Sequence, residues 1–207
     1  MHKSRILIVD DDLGVLKSIR ANLEARDCKT LSAMDGAEAL QVIERELPDL
    51  IILDITMPKM DGFEVCRRIR EWSQIPIIML SARNEVEEKV KCLNEGADDY
   101  VTKPFGVNEL IARVRSVLRR TSQTETVSAM PNFTCGDLAI NFIERRVTVA
   151  GREVRLTPTE YNLLQELVLN AGKVFSHTIL LGRIWGPEYA GEREYLRVFI
   201  GRLRKEL

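Results

Sequence analysis

Short apolar runs alternate with stretches of helical periodicity through the first half of the sequence. The apolar runs are short enough for buried strands and lie at residues 6–9, 30–33, 50–53, 77–80 and 99–102. Apolar residues at helical spacing occupy stretches at roughly 13–26, 37–46, 62–72, 85–95 and 107–120. Such alternation is typical of a parallel sheet that helices cover on both faces. We therefore predict a doubly wound α/β domain with five parallel strands over residues 1–121, with its site at the carboxyl ends of the strands.

The pattern changes after residue 121, where Thr, Ser and Gln become frequent and predict a linker over residues 122–132. Short strand patterns separated by turn signals then occupy residues 133–156, and three helical patterns follow at about 158–170, 177–185 and 192–207. The first of these helices begins with Thr157 as N-cap, Pro158 at the first helical position and Glu160 closing a capping box. Residues 133–207 therefore form a second predicted domain of strands followed by helices.

Composition narrows the class of protein. A hydrophobic content of 45% and a charged content of 29% are ordinary for a soluble globular chain of 207 residues. Because no apolar run approaches about 18 residues and the first one is too short for a signal peptide, we expect a cytoplasmic protein with no membrane partner. The four cysteines form no CxxC motif and there are two histidines, which argues against structural zinc and favours reduced thiols.

Charged and hydroxyl side chains directly follow four of the predicted strands. They are Asp10, Asp11 and Asp12 after the first strand, Asp54 after the third, Ser81 after the fourth and Lys103 after the fifth. Parallel strands end at one sheet edge, and carboxylates this close repel one another unless a cation intervenes. Mg²⁺ suits an all-oxygen site, while an ammonium and a hydroxyl suit an anion. The set therefore predicts Mg²⁺-dependent, in-line phosphoryl transfer to a carboxylate nucleophile.

Several segments resemble the receiver domain of bacterial response regulators, and the resemblance covers residues 3–121. These segments are residues 6–12, 53–58 with 61–62, 79–83 and 96–105. The resemblance implies that Asp54 is the phosphoacceptor. It also implies a Mg²⁺ site made by Asp10, Asp11, Asp54 and the carbonyl of Thr56.

The same resemblance assigns the other groups around the phosphoacceptor. It implies that Ser81 and Lys103 contact the phosphoryl oxygens. It makes Tyr100 the aromatic switch, which turns inward when the hydroxyl residue moves toward the phosphate. It further implies a cis peptide bond between Lys103 and Pro104, whereas Asp12 is expected to cap the next helix.

Residues 133–207 resemble the winged-helix effector domain of OmpR/PhoB-type response regulators. The resemblance is carried by residues 156–161, 163–164, 170–174, 185–187 and 202–205. It implies an α+β winged-helix domain that binds double-stranded DNA. The family continues past the last helix with a β-hairpin wing, whereas this sequence stops at Leu207. We therefore expect a domain that lacks its wing, with apolar surface exposed at Leu196 and Phe199 and weak affinity for DNA.

The last predicted helix has apolar and basic residues on opposite sides. The apolar stripe, which packs inward, is Leu196, Phe199, Ile200 and Leu203. The outer basic residues, predicted to face DNA, are Arg193, Arg197, Arg204 and Lys205. Arg197 is predicted nearest the bases, with Arg204 and Lys205 at phosphates, and Arg202 against acids of its own domain. Positive charge gathers here, because residues 193–207 hold five basic and two acidic side chains in a chain of net charge −1.

Matched charges occur along the fourth helix, the fifth strand and the fifth helix. In the OmpR/PhoB-type family such positions pair the two copies of a dimer, which implies the pairs Lys89–Glu109, Asp99–Arg113 and Asp98–Arg120. Phosphorylation adds about −1.5 to −2 charges at Asp54. Rearrangement of Ser81 and Tyr100 would then bias this face toward dimerisation, which would place two recognition helices on repeated half-sites.

The combined prediction is a two-component response regulator. A sensor histidine kinase phosphorylates Asp54, a homodimer forms and binds DNA, and transcription changes, with RNA polymerase as a further partner. The receiver catalyses its own modification and is not a turnover enzyme. A narrower likeness to the regulator of a potassium-uptake operon rests on Trp72-Ser73, Pro104-Phe105-Gly106 and Tyr195-Leu196-Arg197.

Three other interpretations stay open. A Mg²⁺-dependent phosphohydrolase of the haloacid dehalogenase type would need a second aspartate two residues after its nucleophile, where this chain has Thr56. A second interpretation is a receiver that acts through protein contacts alone, with the C-terminal domain binding a partner instead of DNA. It stays open because the wing that would contact DNA is expected to be absent. DNA binding without phosphorylation is disfavoured by the intact acidic set.

Overall fold

The computed structural model of the protein describes residues 3–122 and 131–207. The chain divides into two compact units, Met1–Leu118 and Arg119–Leu207. Most of the predicted linker, residues 123–130, lies outside the described residues. Within the described ranges, no helix has the length and apolar character needed to cross a membrane.

The first unit is a parallel sheet with helices on both faces, which confirms the predicted doubly wound architecture. Its strands are β1 (Arg5–Val9), β2 (Lys29–Ala33), β3 (Leu50–Asp54), β4 (Ile77–Ser81) and β5 (Asp99–Thr102), in the spatial order β2-β1-β3-β4-β5. Its helices are α1 (Leu13–Glu24), α2 (Gly36–Glu46), α3 (Gly62–Arg70), α4 (Val86–Asn94) and α5 (Val107–Ser122), although α5 belongs to the second unit from Arg119 onward.

Strand residues alternate between two apolar cores, because successive side chains in a strand point to opposite faces of the sheet. In β1, Leu7 and Val9 join the core formed with α2, α3 and α4. Ile6 and Ile8 join the core formed with α1 and α5. Since apolar residues occupy both faces, the buried carboxylates of this unit are found at the strand ends.

Two local features shape the loops that follow β1 and β3. Asp12 caps α1, as predicted, because its carboxylate accepts hydrogen bonds from the N–H groups of Gly14 and Val15 at 2.6 and 3.3 Å. Gly62 begins α3 directly against the end of β3. A Cβ atom on Gly62 would lie 2.3 Å from the carbonyl oxygen of Asp54, so the absence of a side chain allows α3 to start this close to Asp54.

The second unit is an antiparallel sheet followed by helices, which confirms the predicted α+β domain. Its strands are β6 (Asn132–Cys135), β7 (Leu138–Asn141), β8 (Arg146–Val149) and β9 (Arg152–Val154), paired in chain order. Its helices are α6 (Pro158–Leu169), α7 (His177–Ile184), a short 3-10 helix (Pro187–Tyr189) and α8 (Arg193–Glu206). The capping box predicted at the start of α6 is present.

The core of the second unit is built around Trp185. Its indole ring lies 5.1 Å from the ring of Phe199 and 6.1 Å from the ring of Tyr195, measured between centroids. The expectation that Leu196 and Phe199 expose apolar surface is wrong, because they are 5% and 0% exposed. Helices α6 and α7 both pack against α8 and cover its apolar side.

Candidate functional site

Acidic residues from β1 and β3 meet at one edge of the parallel sheet. One carboxylate oxygen from each of Asp10, Asp11 and Asp54 lies within 4.8 Å of the others. Asp10 and Asp54 are buried, whereas Asp11 is exposed. Because β1 and β3 are paired neighbours, they deliver their last residues to the same place. The structure therefore brings together the three carboxylates that the sequence placed at strand ends.

The ammonium of Lys103 lies between the two buried carboxylates. Its Nζ atom is 2.7 Å from Asp10 Oδ2 and 2.6 Å from Asp54 Oδ1. Lys103 follows β5, and its peptide bond to Pro104 is cis, as predicted. The fifth strand thus contributes a cation to a site whose acids come from the first and third strands.

Backbone N–H groups hold the other oxygens of these carboxylates. The N–H of Asp12 donates to Asp10 Oδ1 at 2.9 Å, and the N–H of Thr56 donates to Asp54 Oδ2 at 3.1 Å. A carboxylate offers about four lone-pair sites, so both groups retain acceptor capacity for a further ligand. The role of the Thr56 carbonyl as a metal ligand stays a prediction.

Burial and charge act in opposite directions on the protonation of this cluster. Burial raises the pKa of the Asp54 carboxyl group, the hydrogen bond and charge of Lys103 oppose that rise, and the charge of Asp10 adds to it. Burial alone would lower the pKa of Lys103, but contacts with Asp10 and Asp54 outweigh it and raise that pKa. The ammonium therefore stays protonated. Three carboxylates facing one ammonium favour a divalent cation that prefers oxygen ligands.

Ser81 ends β4 at the same edge, but its hydroxyl group is engaged by α4. This hydroxyl donates to Glu88 Oε1 at 3.0 Å and accepts from the N–H of Arg83 at 3.1 Å. The sequence pattern did not indicate a role for Glu88. Three glutamates lie between residues 85 and 88, and helical spacing did not single out the one that faces Ser81.

Tyr100 is buried, with its phenol turned toward the loop between β4 and α4. Its hydroxyl donates to the carbonyl oxygen of Arg83, and the Thr102 hydroxyl donates to Asn84 Oδ1 at 3.2 Å. Burial raises the pKa of Tyr100, and the neighbouring hydroxyl groups of Ser81 and Thr102 oppose the rise. Two side chains of β5 therefore hold this loop, while the switching role of Tyr100 stays a prediction.

Part of the predicted dimer face is paired within a single copy of the chain. Arg113 Nη1 is 3.0 Å from Asp99 Oδ1, and Arg113 Nη2 is 3.1 Å from Glu109 Oε1. Lys89 lies half-buried on α4. An Asp99–Arg113 pair between copies would therefore replace an existing pair within one copy, and it stays a prediction.

The other predicted dimer pair, Asp98–Arg120, involves two buried residues. Asp98 is 0% exposed and its Oδ2 lies 3.0 Å from Arg70 Nη2. In the second unit, Arg120 is 2% exposed, donates to Thr159 Oγ1 at 3.2 Å and stacks near the ring of Trp185. Contact between copies would require both residues to leave these surroundings.

Helix α8 exposes the four basic residues predicted to face DNA, which are Arg193, Arg197, Arg204 and Lys205. The side chain of Arg197 is 85% exposed, with its guanidinium group 3.9 Å from Glu194. Arg202 differs, because its Nε atom lies 2.7 Å from Oε1 of the buried Glu160. This pair confirms the expectation that Arg202 contacts an acid of its own domain.

Comparisons with known proteins cover both units. A family model for the response regulator receiver domain matches residues 6–115, and a model for the C-terminal part of transcriptional regulatory proteins matches residues 151–207. Transcriptional regulatory protein KdpE of Mycobacterium tuberculosis is 40% identical over 202 residues, 98% of this chain and 89% of KdpE. Response regulator MprA of Mycobacterium sp. (strain KMS) is 42% identical over 203 residues, 98% of this chain and 88% of MprA.

A solved structure agrees with these matches. The crystal structure of DrrB, described as a Thermotoga maritima OmpR/PhoB homologue, is 30% identical with a TM-score of 0.56, and the alignment covers 100% of this chain and 90% of DrrB. Together with the acidic pocket, the likenesses define a two-component response regulator with a receiver and a DNA-binding domain that acts in transcription. Within that class, the chain belongs to the OmpR/PhoB-type response regulators.

Proposed function

We propose that a sensor histidine kinase phosphorylates Asp54 with the help of Mg²⁺, and that phosphorylation promotes dimerisation and DNA binding in the cytoplasm. The observation that carries this proposal is the 2.6 Å contact between Asp54 Oδ1 and Lys103 Nζ beside Asp10 and Asp11. A carboxylate fixed next to an ammonium and a cation site is suited to phosphoryl transfer, because the charge of the transferring oxygens is neutralised. The protein is modified in this step and does not turn over a substrate.

In the transfer step, a carboxylate oxygen of Asp54 forms a bond to phosphorus. The bond between phosphorus and a histidine nitrogen of the kinase breaks, its electron pair stays on the nitrogen, and that nitrogen takes up a proton. Lys103 holds Asp54 in place and would contact one phosphoryl oxygen, while Ser81 would donate to another. Asp10, Asp11, Asp54 and the Thr56 carbonyl would hold Mg²⁺, which would supply further positive charge for the phosphoryl oxygens.

Intact-mass measurement tests the phosphorylation step. Incubation with acetyl phosphate and Mg²⁺ should add one phosphoryl group to the wild-type chain and none to Asp54→Asn. Sedimentation of the same samples should show a shift from monomer to dimer in the wild type alone. Arg113→Ala should keep the phosphoryl group and lose most of the shift. A wild-type chain that gains no phosphoryl group contradicts the proposal.

DNA binding is assigned to the exposed basic face of α8. Arg197→Ala should weaken binding to a specific duplex by about 1–3 kcal/mol if this residue contacts a base. If it contacts a phosphate, the slope of log K against log salt should fall by about 1. Arg152→Ala, which removes an exposed arginine from β9, is the matched control and should bind like the wild type.

Regulation of a potassium-uptake operon is a finer proposal. Its support is the likeness at Trp72-Ser73, Pro104-Phe105-Gly106 and Tyr195-Leu196-Arg197, together with 40% identity to KdpE. Identity of 42% to MprA means that overall similarity does not distinguish the two relatives. The phosphorylated chain should bind the promoter of that operon from its own genome and alter transcription by RNA polymerase in vitro. Equal binding to an unrelated promoter contradicts this assignment.

A further inference from the structure

The hydroxyl group of Ser81 has one proton, and Glu88 uses it. A serine hydroxyl has one donor and two acceptor sites, whereas a carboxylate only accepts. The 3.0 Å contact therefore runs from Ser81 to Glu88 Oε1. The N–H of Arg83 occupies a lone pair of the same hydroxyl oxygen at 3.1 Å. A phosphoryl oxygen on Asp54 could accept a hydrogen bond from Ser81 only if the bond that Ser81 now donates to Glu88 were broken.

Glu88 is well placed to keep accepting this hydrogen bond. Its side chain is 13% exposed in the first turn of α4, and its Oε2 lies 3.4 Å from Arg83 Nη1. Ser81 is buried, and a hydrogen bond to an ionised acceptor is stronger than one between neutral groups. The phenol of Tyr100 donates to the carbonyl of Arg83, so it fastens the loop that leads from Ser81 to Glu88.

We propose that Glu88 is a positioning residue that holds the Ser81 hydroxyl in the unphosphorylated protein and opposes phosphorylation of Asp54. This inference rests on the proposed function. The Ser81 hydroxyl has two states, one bonded to Glu88 and one free to bond a phosphoryl oxygen. A phosphoryl group shifts the equilibrium between them only by the difference between its interaction energies with the two states. Reaching the second state requires the hydrogen bond from Ser81 to Glu88 to be broken, and this cost weakens the binding of the phosphoryl group. Removing Glu88 should therefore strengthen binding of a phosphoryl group or its mimic.

The test measures the affinity of the full chain for beryllofluoride, a phosphoryl mimic, by titration calorimetry with Mg²⁺. Glu88→Ala should bind roughly tenfold more tightly, because a hydrogen bond to a charged group contributes about that much. Glu88→Gln should gain about threefold, because its amide oxygen is a neutral and weaker acceptor. Glu87→Ala removes an exposed acid from the same helical turn and should bind like the wild type, which controls for charge.

A second pair of variants separates positioning from a structural role. Ser81→Ala removes the shared proton, so Glu88→Ala should have no further effect on affinity in that background. The same tenfold gain with and without Ser81 would overturn the inference, as would equal affinity of Glu88→Ala and the wild type. Both results leave the proposed function standing. If the wild type neither binds beryllofluoride nor gains a phosphoryl group on Asp54, the proposed function fails and the inference fails with it.

Discussion

Replacing Gly62 by alanine tests how the fold positions the phosphoacceptor. Gly62 starts α3, and its N–H donates to the carbonyl of Ile55 at 2.9 Å. An added Cβ would lie 2.3 Å from the carbonyl oxygen of Asp54 and 2.9 Å from the Cα of Ile55. Both neighbours are backbone atoms, so no side-chain rotation can make room. Separation to 3.0 Å requires α3 or the end of β3 to move by at least 0.7 Å.

The expected cost is the balance of two terms. Overpacking in a well-packed region typically costs about 1–3 kcal/mol. Alanine gains up to about 1 kcal/mol over glycine in a helix. We expect Gly62→Ala to lower the free energy of unfolding by about 1–2 kcal/mol, which lowers Tm by roughly 3–10 °C for a domain of this size. Phosphorylation of Asp54 should slow by about tenfold or more, because sub-ångström displacement of a reacting group is costly.

Two assays on one pair of variants check this reasoning. Thermal unfolding gives the stability change, and the initial rate of phosphorylation by acetyl phosphate with Mg²⁺ gives the effect on Asp54. Gly106→Ala is the matched control, because a Cβ there would meet nothing within 4 Å, and it should change neither measurement greatly. If Gly62→Ala is as stable and as readily phosphorylated as Gly106→Ala, the close approach of α3 does not position Asp54.

Three further changes test other parts of the structure. Arg202→Ala should destabilise the second unit by about 3 kcal/mol in guanidinium denaturation, because it leaves the buried Glu160 carboxylate without its positively charged partner. A thiol reagent at neutral pH should label the exposed Cys135 long before Cys92, whose pKa burial raises to about 12; equal labelling by mass spectrometry would contradict this. Asp54→Asn should be more stable than the wild type at neutral pH. Burial raises the pKa of Asp54, so the wild-type folded state loses stability as the pH rises above the pKa that this carboxyl group has in the unfolded chain. In a pH series of unfolding curves, that difference should vanish below about pH 3.9.

The sheet and the acidic pocket could be predicted because each strand, with the polar residue that follows it, can be recognised within one short segment. A strand buried on both faces is apolar throughout, whatever its neighbours are. Asp54 and Lys103 could be placed together because parallel strands end at a common edge. Helix ends were less predictable. The predicted helix at 13–26 extends past the observed end of α1 at Glu24. The helix ends there because the chain turns before Asp27, which has a positive φ of 64°.

Where several side chains of the same chemical type lie close together in the sequence, the one that makes a long-range contact could not be predicted in this way. Glu85 is the N-cap residue of α4 but makes no side-chain capping hydrogen bond, and Glu87 is exposed. Of these three glutamates, Glu88 is the one that accepts a hydrogen bond from the Ser81 hydroxyl. All three are glutamates within one helical turn of sequence, so the packing of α4 against β4 decides which of them reaches Ser81. If Glu88 holds the hydroxyl, the free energy of phosphorylation includes the cost of breaking that bond. The receiver signature then predicts that a switch exists, whereas the ease of switching depends on a residue of α4 outside that signature.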